Sequence, residues 1–447
     1  MLTVEQAEAR AAALVEAARK AGADAADVIY SGDASTQIQV RLGALEDVSR
    51  SEGEEIGLRF FVGTRSATVA SSDLSDEAMK ALVERAAAMA REAPEDPYAG
   101  LAPEDRLLRG PGVDVDGDDG ADPSPVALKR LALAIEDAAR SVEGVTNSEG
   151  AGASAGRSVV ALATSHGFCR GYATTGYGGM ASVIAGSGAG MQRDYAYHNV
   201  RHFADLEAPD SIGRRAGERA VRRLNPARLP SGRMTVLFDP RVGSSLVGHL
   251  TGAITGSAIA RKTSFLIGRE GEVIFGPGVT IRDDPHRRRG LASKPFDGEG
   301  LPTRPSDIVA DGVLTGWLLD SASARQLGRE PTGHATRGSG APGAGATNVH
   351  IEPGPLSPAE LMADVTCGLY VTELIGQGVN PVTGDYSRGA SGFIVENGEI
   401  AAAVAEITIA GNLLDMFRET VPASDLEHRR AVNVPTLRVE GMMIAGA

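Results

Sequence analysis

Gly376-Gln377-Gly378-Val379-Asn380-Pro381-Val382-Thr383-Gly384-Asp385-Tyr386-Ser387-Arg388-Gly389-Ala390-Ser391-Gly392-Phe393-Ile394-Val395-Glu396-Asn397-Gly398-Glu399-Ile400 is followed, after a short apolar run, by Glu406-Ile407-Thr408-Ile409-Ala410-Gly411-Asn412. Turn formers stand at fixed places around Asn380, Asp385, Ser387 and Arg388, which predicts a shaped polar loop. Asn397-Gly398 between two apolar runs predicts a tight hairpin. The C-terminal part of the chain is therefore expected to be built from strands and turns.

Upstream, the same pattern alternates with helices. Val4, Ala7, Ala11, Leu14, Val15 and Ala18 recur at helical spacing, with Gly22 as a stop. Short β-branched runs follow at 27–30, 36–41, 46–51, 55–62 and 65–71, separated by glycines, and predict an antiparallel meander. Helices are expected over 75–92, 125–142 and 211–224. The Pro-, Gly- and Asp-rich segment 94–125 is expected to be loop. Strands should fill 145–199, where Gly186 to Gly190 mark hairpin positions. Beyond Asn225-Pro226, a strand at 235–238 leads into a helix over 240–261, and a further helix is expected at 357–367. The fold class is α+β: an N-terminal mixed domain, 1–225, and a β-rich domain, 226–447.

Composition excludes several functions. The net charge of −14 over 447 residues argues against a surface that grips nucleic acid phosphates. The basic run His286-Arg287-Arg288-Arg289 is small and reads as a solvated loop balanced by acids. No apolar run is long enough to span a membrane, and Met1 to Ala7 has no leader character, so a cytoplasmic protein is expected. Cys169 and Cys367, about 200 positions apart, have no metal-like spacing and read as partly buried thiols.

A search for chemistry returns little. Asp114-Val115-Asp116-Gly117-Asp118-Asp119-Gly120 fails the calcium-loop spacing and reads as a solvated acidic loop. No histidine is followed by glutamate, and only His198 and His202 stand four apart, in a segment whose alternation suggests a strand. There they would be separated by roughly 13 Å. Gly338-Ser339-Gly340 lies in a Gly-, Ala- and Pro-rich loop expected to be mobile, not in a nucleophile elbow.

Several ordered motifs then carry a resemblance. They are Glu95-Asp96-Pro97-Tyr98-Ala99-Gly100-Leu101, Gly256-Ser257-Ala258-Ile259 with Lys262-Thr263-Ser264-Phe265-Leu266, Asp283-Asp284-Pro285-His286, Pro295-Phe296-Asp297-Gly298-Glu299-Gly300, Asp311-Gly312-Val313-Leu314, Thr332-Gly333-His334-Ala335 and the Asn380 loop. Together they resemble the TldD/PmbA metallopeptidase family, on its PmbA (TldE) branch. The resemblance implies a barrel-like or layered C-terminal domain. It also implies a heterodimer in which a TldD-type subunit supplies the zinc and this chain helps enclose an extended peptide. The catalytic branch carries His-Glu-x-x-x-His on the helix of the second half and a cysteine ligand near the C-terminus. Here that helix reads Ser244-Ser245-Leu246-Val247-Gly248-His249, and 422–435 has no cysteine. Ser244, Ser245 and His249 are thus degenerate metal-site positions, and this chain is expected to hold no metal and to be non-catalytic by itself. His249, Asn380, Asp385, Ser387 and Arg388 are expected to face the partner or the substrate. The alternative is a stand-alone homodimer that binds peptides, or modulates another protein, without cutting.

Overall fold

The computed structural model describes residues 1–446. Helix α1 (Val4–Lys20) precedes β1 (Ala25–Arg41), β2 (Ala44–Val62), β3 (Arg65–Ser71), α2 (Asp76–Glu92) and α3 (Pro125–Arg140). Strands β4 (Val145–Thr164), β5 (Cys169–Ala185) and β6 (Gln192–Val200) and helix α4 (Pro209–Arg222) follow. The six strands form one antiparallel sheet in the order β3-β2-β1-β4-β5-β6. Alternation along β1 decides what each face meets. Val28 and Tyr30 pack with α1 and α2, and Ile38 and Val40 with α3 and α4, whereas Asp27 and Ile29 point to the helix-free face.

The second half runs through β7 (Gly232–Phe238), α5 (Pro240–Ala253), α6 (Gly256–Ala260), β8 (Ile281–Asp283), β9 (Ser306–Ala310), β10 (Val313–Leu314) and α7 (Ser321–Gln326). It continues with β11 (Ala335–Thr336), β12 (Gly343–Ala344), β13 (Val349–Ile351), α8 (Pro358–Met362), β14 (Cys367–Ile375), β15 (Asp385–Glu396) and β16 (Glu399–Asn412). Helix α9 (Leu413–Arg418), β17 (Val421–Pro422), β18 (Val432–Asn433) and β19 (Leu437–Ala445) complete it. Strands pair in the order β16-β15-β14-β7-β19, and β16 also pairs with β19, closing a five-stranded barrel. Val236, Phe238, Leu369, Val371, Ile409 and Val439 belong to the core, against which α5 sets Leu246, Val247 and Leu250. A smaller sheet, β10-β9-β8-β13-β18, adjoins this core.

The α+β class and the barrel stand as expected, and so do the Asn397-Gly398 hairpin, with both residues at positive φ, and β3. The departures have local causes. The runs 27–30 and 36–41 are one strand, because Gly32 stays in unbroken register with β2 and β4, and a Cβ there would strike the Tyr30 hydroxyl. Likewise 46–51 and 55–62 are both β2. The helix expected over 240–261 breaks at Ile254, where Gly256 N donates to Leu318 O at 2.7 Å and Leu318 N to Ile254 O at 2.9 Å. The helix expected at 357–367 stops at Met362, and Cys367 opens β14 instead. Both cysteines are free and exposed, not partly buried.

The acidic loop is not simply solvated. Asp116 pairs with Arg288 at 2.8 Å and Arg289 at 2.6 Å, and Arg157 donates to Asp118 at 2.8 Å. Phe203 N donates to Asp119 at 2.8 Å, and Thr175 N to Gly117 O at 2.9 Å. The segment is a strap tying the first sheet to the 286–289 turn. The basic run is therefore structural too, with Arg287 half-buried against His350 Nδ1 at 2.8 Å. The Gly338-Ser339-Gly340 loop is docked: a Cβ on Gly57 of β2 would lie 2.1 Å from Ser339 O.

The helix-free face of the sheet meets the second half through buried charge. Asp27 is fully buried, takes Arg59 Nε at 3.0 Å, and has Arg337 Nη1 at 2.9 Å. Burial alone would raise its carboxyl, but Arg337 and Arg59 outweigh that and hold it below the usual range. Arg325 reaches back from α7 to the carbonyls of Tyr98, Gly100 and Leu101 at 2.8, 2.9 and 3.0 Å. Nearby, Glu299 is pushed up to about 7 by burial and by Asp297, with Arg59 opposing.

A carboxyl with a raised folded value favours folding while protonated, so its ionisation weakens the fold as pH climbs from the usual carboxylate range to about 7. Glu299→Gln keeps an acceptor for Ser321 and removes that penalty. Urea unfolding should show the variant more stable than the parent by about 1–3 kcal/mol near pH 8 and nearly equal near pH 5. A difference that does not change with pH would show Glu299 to be ionised throughout.

Candidate functional site

Helix α5 packs on β7, β14 and β18, and its C-terminal half carries His249 toward Tyr386 of β15. His249 and Tyr386 meet edge to face, with ring centroids 6.1 Å apart and an interplanar angle of 79°. Arg388, two residues beyond Tyr386, shares that face of the strand. Three side-chain atoms of this group, His249 Nε2, Tyr386 Oη and Arg388 Nε, are buried without a hydrogen-bond partner. Each such atom costs about 1–3 kcal/mol, so their convergence marks a place where stability is not the organising demand. Burial first, and Arg388 second, hold the His249 imidazole below its ordinary value. Burial pushes the Tyr386 phenol up to about 12, against the opposing effect of Arg388. Near neutral pH the cluster is a neutral imidazole, a neutral phenol and one cation, a set that offers donors to a carbonyl or carboxylate oxygen.

The other residues singled out from the sequence lie elsewhere. Asp385 and Ser387 occupy the opposite, exposed face of β15. Asn380 is also exposed, and its side-chain oxygen accepts from Val382 N at 2.9 Å and Thr383 N at 3.4 Å. Its backbone N donates to Asp385 O at 2.9 Å. Asp385 accepts from the Thr383 hydroxyl at 2.7 Å and the Asn412 amide at 3.4 Å. Asn380 and Asp385 thus shape the loop, in which Val382 is 51% exposed, while Ile375 at the end of β14 is 57% exposed. Tyr386 was missed from the sequence. Its position two residues before Arg388 was the available signal, since strand alternation puts both on one face.

The degenerate positions on α5 are turned inward on the helix itself. Ser244 Oγ donates to Arg241 O at 3.4 Å and Ser245 Oγ to Val242 O at 2.7 Å. A single imidazole beside two back-bonded hydroxyls does not fit the donor set of a zinc ion. Among the described residues no three His, Cys, Asp or Glu side chains are grouped to hold a metal. His198 accepts from Glu207 N at 3.1 Å, and His202 Nε2 lies 2.9 Å from Asp116 O, so the pair is not a ligand set.

Sequence models of three domains cover most of the chain: PmbA/TldA metallopeptidase domain 1 over 26–90, the central domain over 118–224 and the C-terminal domain over 231–446. The chain belongs to the PmbA/TldD metallopeptidase family. It is 38% identical to the metalloprotease PmbA of Escherichia coli O157:H7, across 100% of this chain and 99% of that one. A crystal structure of a putative modulator of DNA gyrase from Bacteroides thetaiotaomicron superposes with a TM-score of 0.92 at 26% identity, covering both chains fully. TldE from Thermococcus kodakarensis has the same fold, with a TM-score of 0.87 at 22% identity over 97% of this chain and 99% of that one. Among the described residues no helix is long and apolar enough to cross a membrane.

Because Arg388 is the second cause of the lowered His249 value, Arg388→Gln should raise the imidazole's titration midpoint without restoring its ordinary value, burial remaining in place. Proton–nitrogen NMR of the ring reads this directly. An unchanged midpoint would mean that the guanidinium does not act on His249.

Proposed function

We propose that this chain is the non-catalytic, PmbA/TldE-type subunit of a heterodimeric zinc peptidase, and that a TldD-type subunit supplies the metal that cuts an extended or leader peptide. The observation that carries this reading is the pair Ser244 and Ser245. Where the catalytic branch needs an imidazole and a general-base carboxylate, this chain has two hydroxyls engaged with their own helix. His249 alone lacks the partners that would bind zinc and activate water. The loop around Asn380, which exposes Val382, and the end of β14, which exposes Ile375, are the surface we assign to the partner or to the peptide. The nearby Tyr386 and Arg388 supply buried hydrogen-bonding groups that are unpaired in the single chain.

A second reading, a homodimer that binds or modulates without cutting, takes its support from the gyrase-modulator description of the Bacteroides thetaiotaomicron protein. A third, cleavage by this chain alone, takes its support from the metalloprotease name of the Escherichia coli relative.

Zinc content and cleavage of an unstructured peptide, measured on the chain alone and mixed with a TldD-type subunit, separate the three. Zinc and cleavage are expected only in the mixture. Stoichiometric zinc with cleavage by the chain alone would overturn the proposal, and a stable homodimer indifferent to the TldD-type subunit would favour the second reading. In the active mixture, Arg388→Ala should lower cleavage on the order of tenfold. Asn380→Ala, which frees Val382 N and Thr383 N, should act in the same direction. Full activity in both variants would remove the loop from the mechanism.

A further inference from the structure

A second polar assembly lies away from His249, where the first sheet meets the N-terminus of α5. There β6 and α4 on one side, and Asp239 to Arg241 with parts of 425–434 on the other, enclose a cavity of about 390 Å³. Tyr195 and Tyr197 stand on one face of β6 with their rings stacked, centroids 6.2 Å apart and 12° from parallel. Arg241 lies over Tyr195 at 5.9 Å and Arg430 over Tyr197 at 5.3 Å, so each guanidinium is set against an aromatic face. Arg219 donates to the Tyr195 carbonyl at 3.2 Å. Asn433 pins the turn that carries Arg430, accepting from Arg430 N and donating to Arg430 O, at 2.8 and 2.7 Å.

The charges of this wall do not cancel locally. Its three acids are engaged: Asp239 accepts from Arg241 N, Asp425 from Thr436, and Glu427 pairs with Arg429. Arg215 and Arg429 share Glu207. Arg241 spends both terminal nitrogens on Asp194, and its Nε is left without an acceptor although the side chain is only 6% exposed. Among the described residues, Arg219 and Arg430 form no ion pair with any carboxylate. Burial and the neighbouring Arg241 hold Arg219 below its usual value despite Asp239 and Asp194. A guanidinium in contact with no carboxylate in a partly enclosed cavity favours an incoming anion, and a planar carboxylate matches its fork. The tyrosine rings add an apolar wall for the chain that carries the carboxylate.

We propose that this cavity is a carboxylate subsite for an extended peptide, with Arg219 and Arg430 as its donors. The carboxylate is either the peptide's free C-terminus or an Asp or Glu side chain. The inference rests on the peptide-binding reading above and adds a substrate class to it.

Fluorescence anisotropy on the full chain tests it with three labelled peptides of one neutral sequence: a free-acid form, an amidated form with one internal Glu, and an amidated form without charge. At least one carboxylate-bearing peptide should bind roughly tenfold more tightly than the neutral one, and the one that gains identifies the source. Arg219→Gln and Arg430→Gln should abolish the gain, so that within each variant the carboxylate-bearing and neutral peptides bind alike. Lysine at either position should retain part of it, which separates lost charge from lost folding. Equal affinity for all three peptides overturns the subsite while the peptide reading stands, and binding of none overturns both. A preference for acid that survives the double glutamine variant places the carboxylate elsewhere and overturns the assignment.

Discussion

The carboxylate of Asp27 is the constraint on which the assembly of the two halves depends. It lies on the helix-free face of the first sheet, fully buried, and a charge so placed must be paired or it destabilises the fold by several kcal/mol. Arg59 comes from the neighbouring strand, but Arg337 comes from the second half, so the ionic group is complete only when the halves dock. Further arginines repeat the device around the rim. Arg325 holds the 98–101 loop, Arg223 reaches Glu373, and Arg241 reaches Asp194. These bonds are directional, and they specify the docking geometry more narrowly than apolar contact alone would.

Close backbone approach is the second ingredient, and it accounts for part of the glycine content. Gly57 admits Ser339, Gly256 admits Ser323, and Gly300, at φ +87°, lies against the Phe168 ring. None of these is a flexible hinge. Each removes a Cβ at a place where two segments distant in sequence touch, so the chain uses glycine for contact as often as for turning. The α5 region shows the reverse economy. His249, Tyr386 and Arg388 leave polar atoms unpaired inside an otherwise well-packed core.

How much was legible follows the range of the interactions. The first helix, the third strand and the Asn397-Gly398 hairpin depend on neighbours within a few residues, and periodicity with turn chemistry located them. The break in the helix after Ile254 depends on Leu318, and the single strand through Gly32 depends on its pairing with Glu54 of β2 and Val159 of β4, so local pattern misplaced both. Of the candidate site, the missing imidazole and carboxylate at Ser244 and Ser245 were legible because a motif is a local spacing. The separation of Arg388 from Asp385 and Ser387 follows from strand alternation. The pairing of Arg388's face with His249 required the barrel to bring β15 next to the strands on which α5 packs.

By itself, the sequence determined the α+β class, the family, and the residue types at the degenerate helix motif, since all of these are written in neighbouring positions. Tertiary structure alone decided that β16 meets β19 to close the barrel, that the acidic strap is latched by Arg288 and Arg289, and that Tyr386 joins His249. It also brought Tyr195, Tyr197, Arg219 and Arg430 around one cavity. The physical reason is the same in each case. Barrel closure, buried ion pairing and cavity formation are set by side chains tens to hundreds of residues apart, and their partners are chosen by burial and geometry that no local pattern encodes.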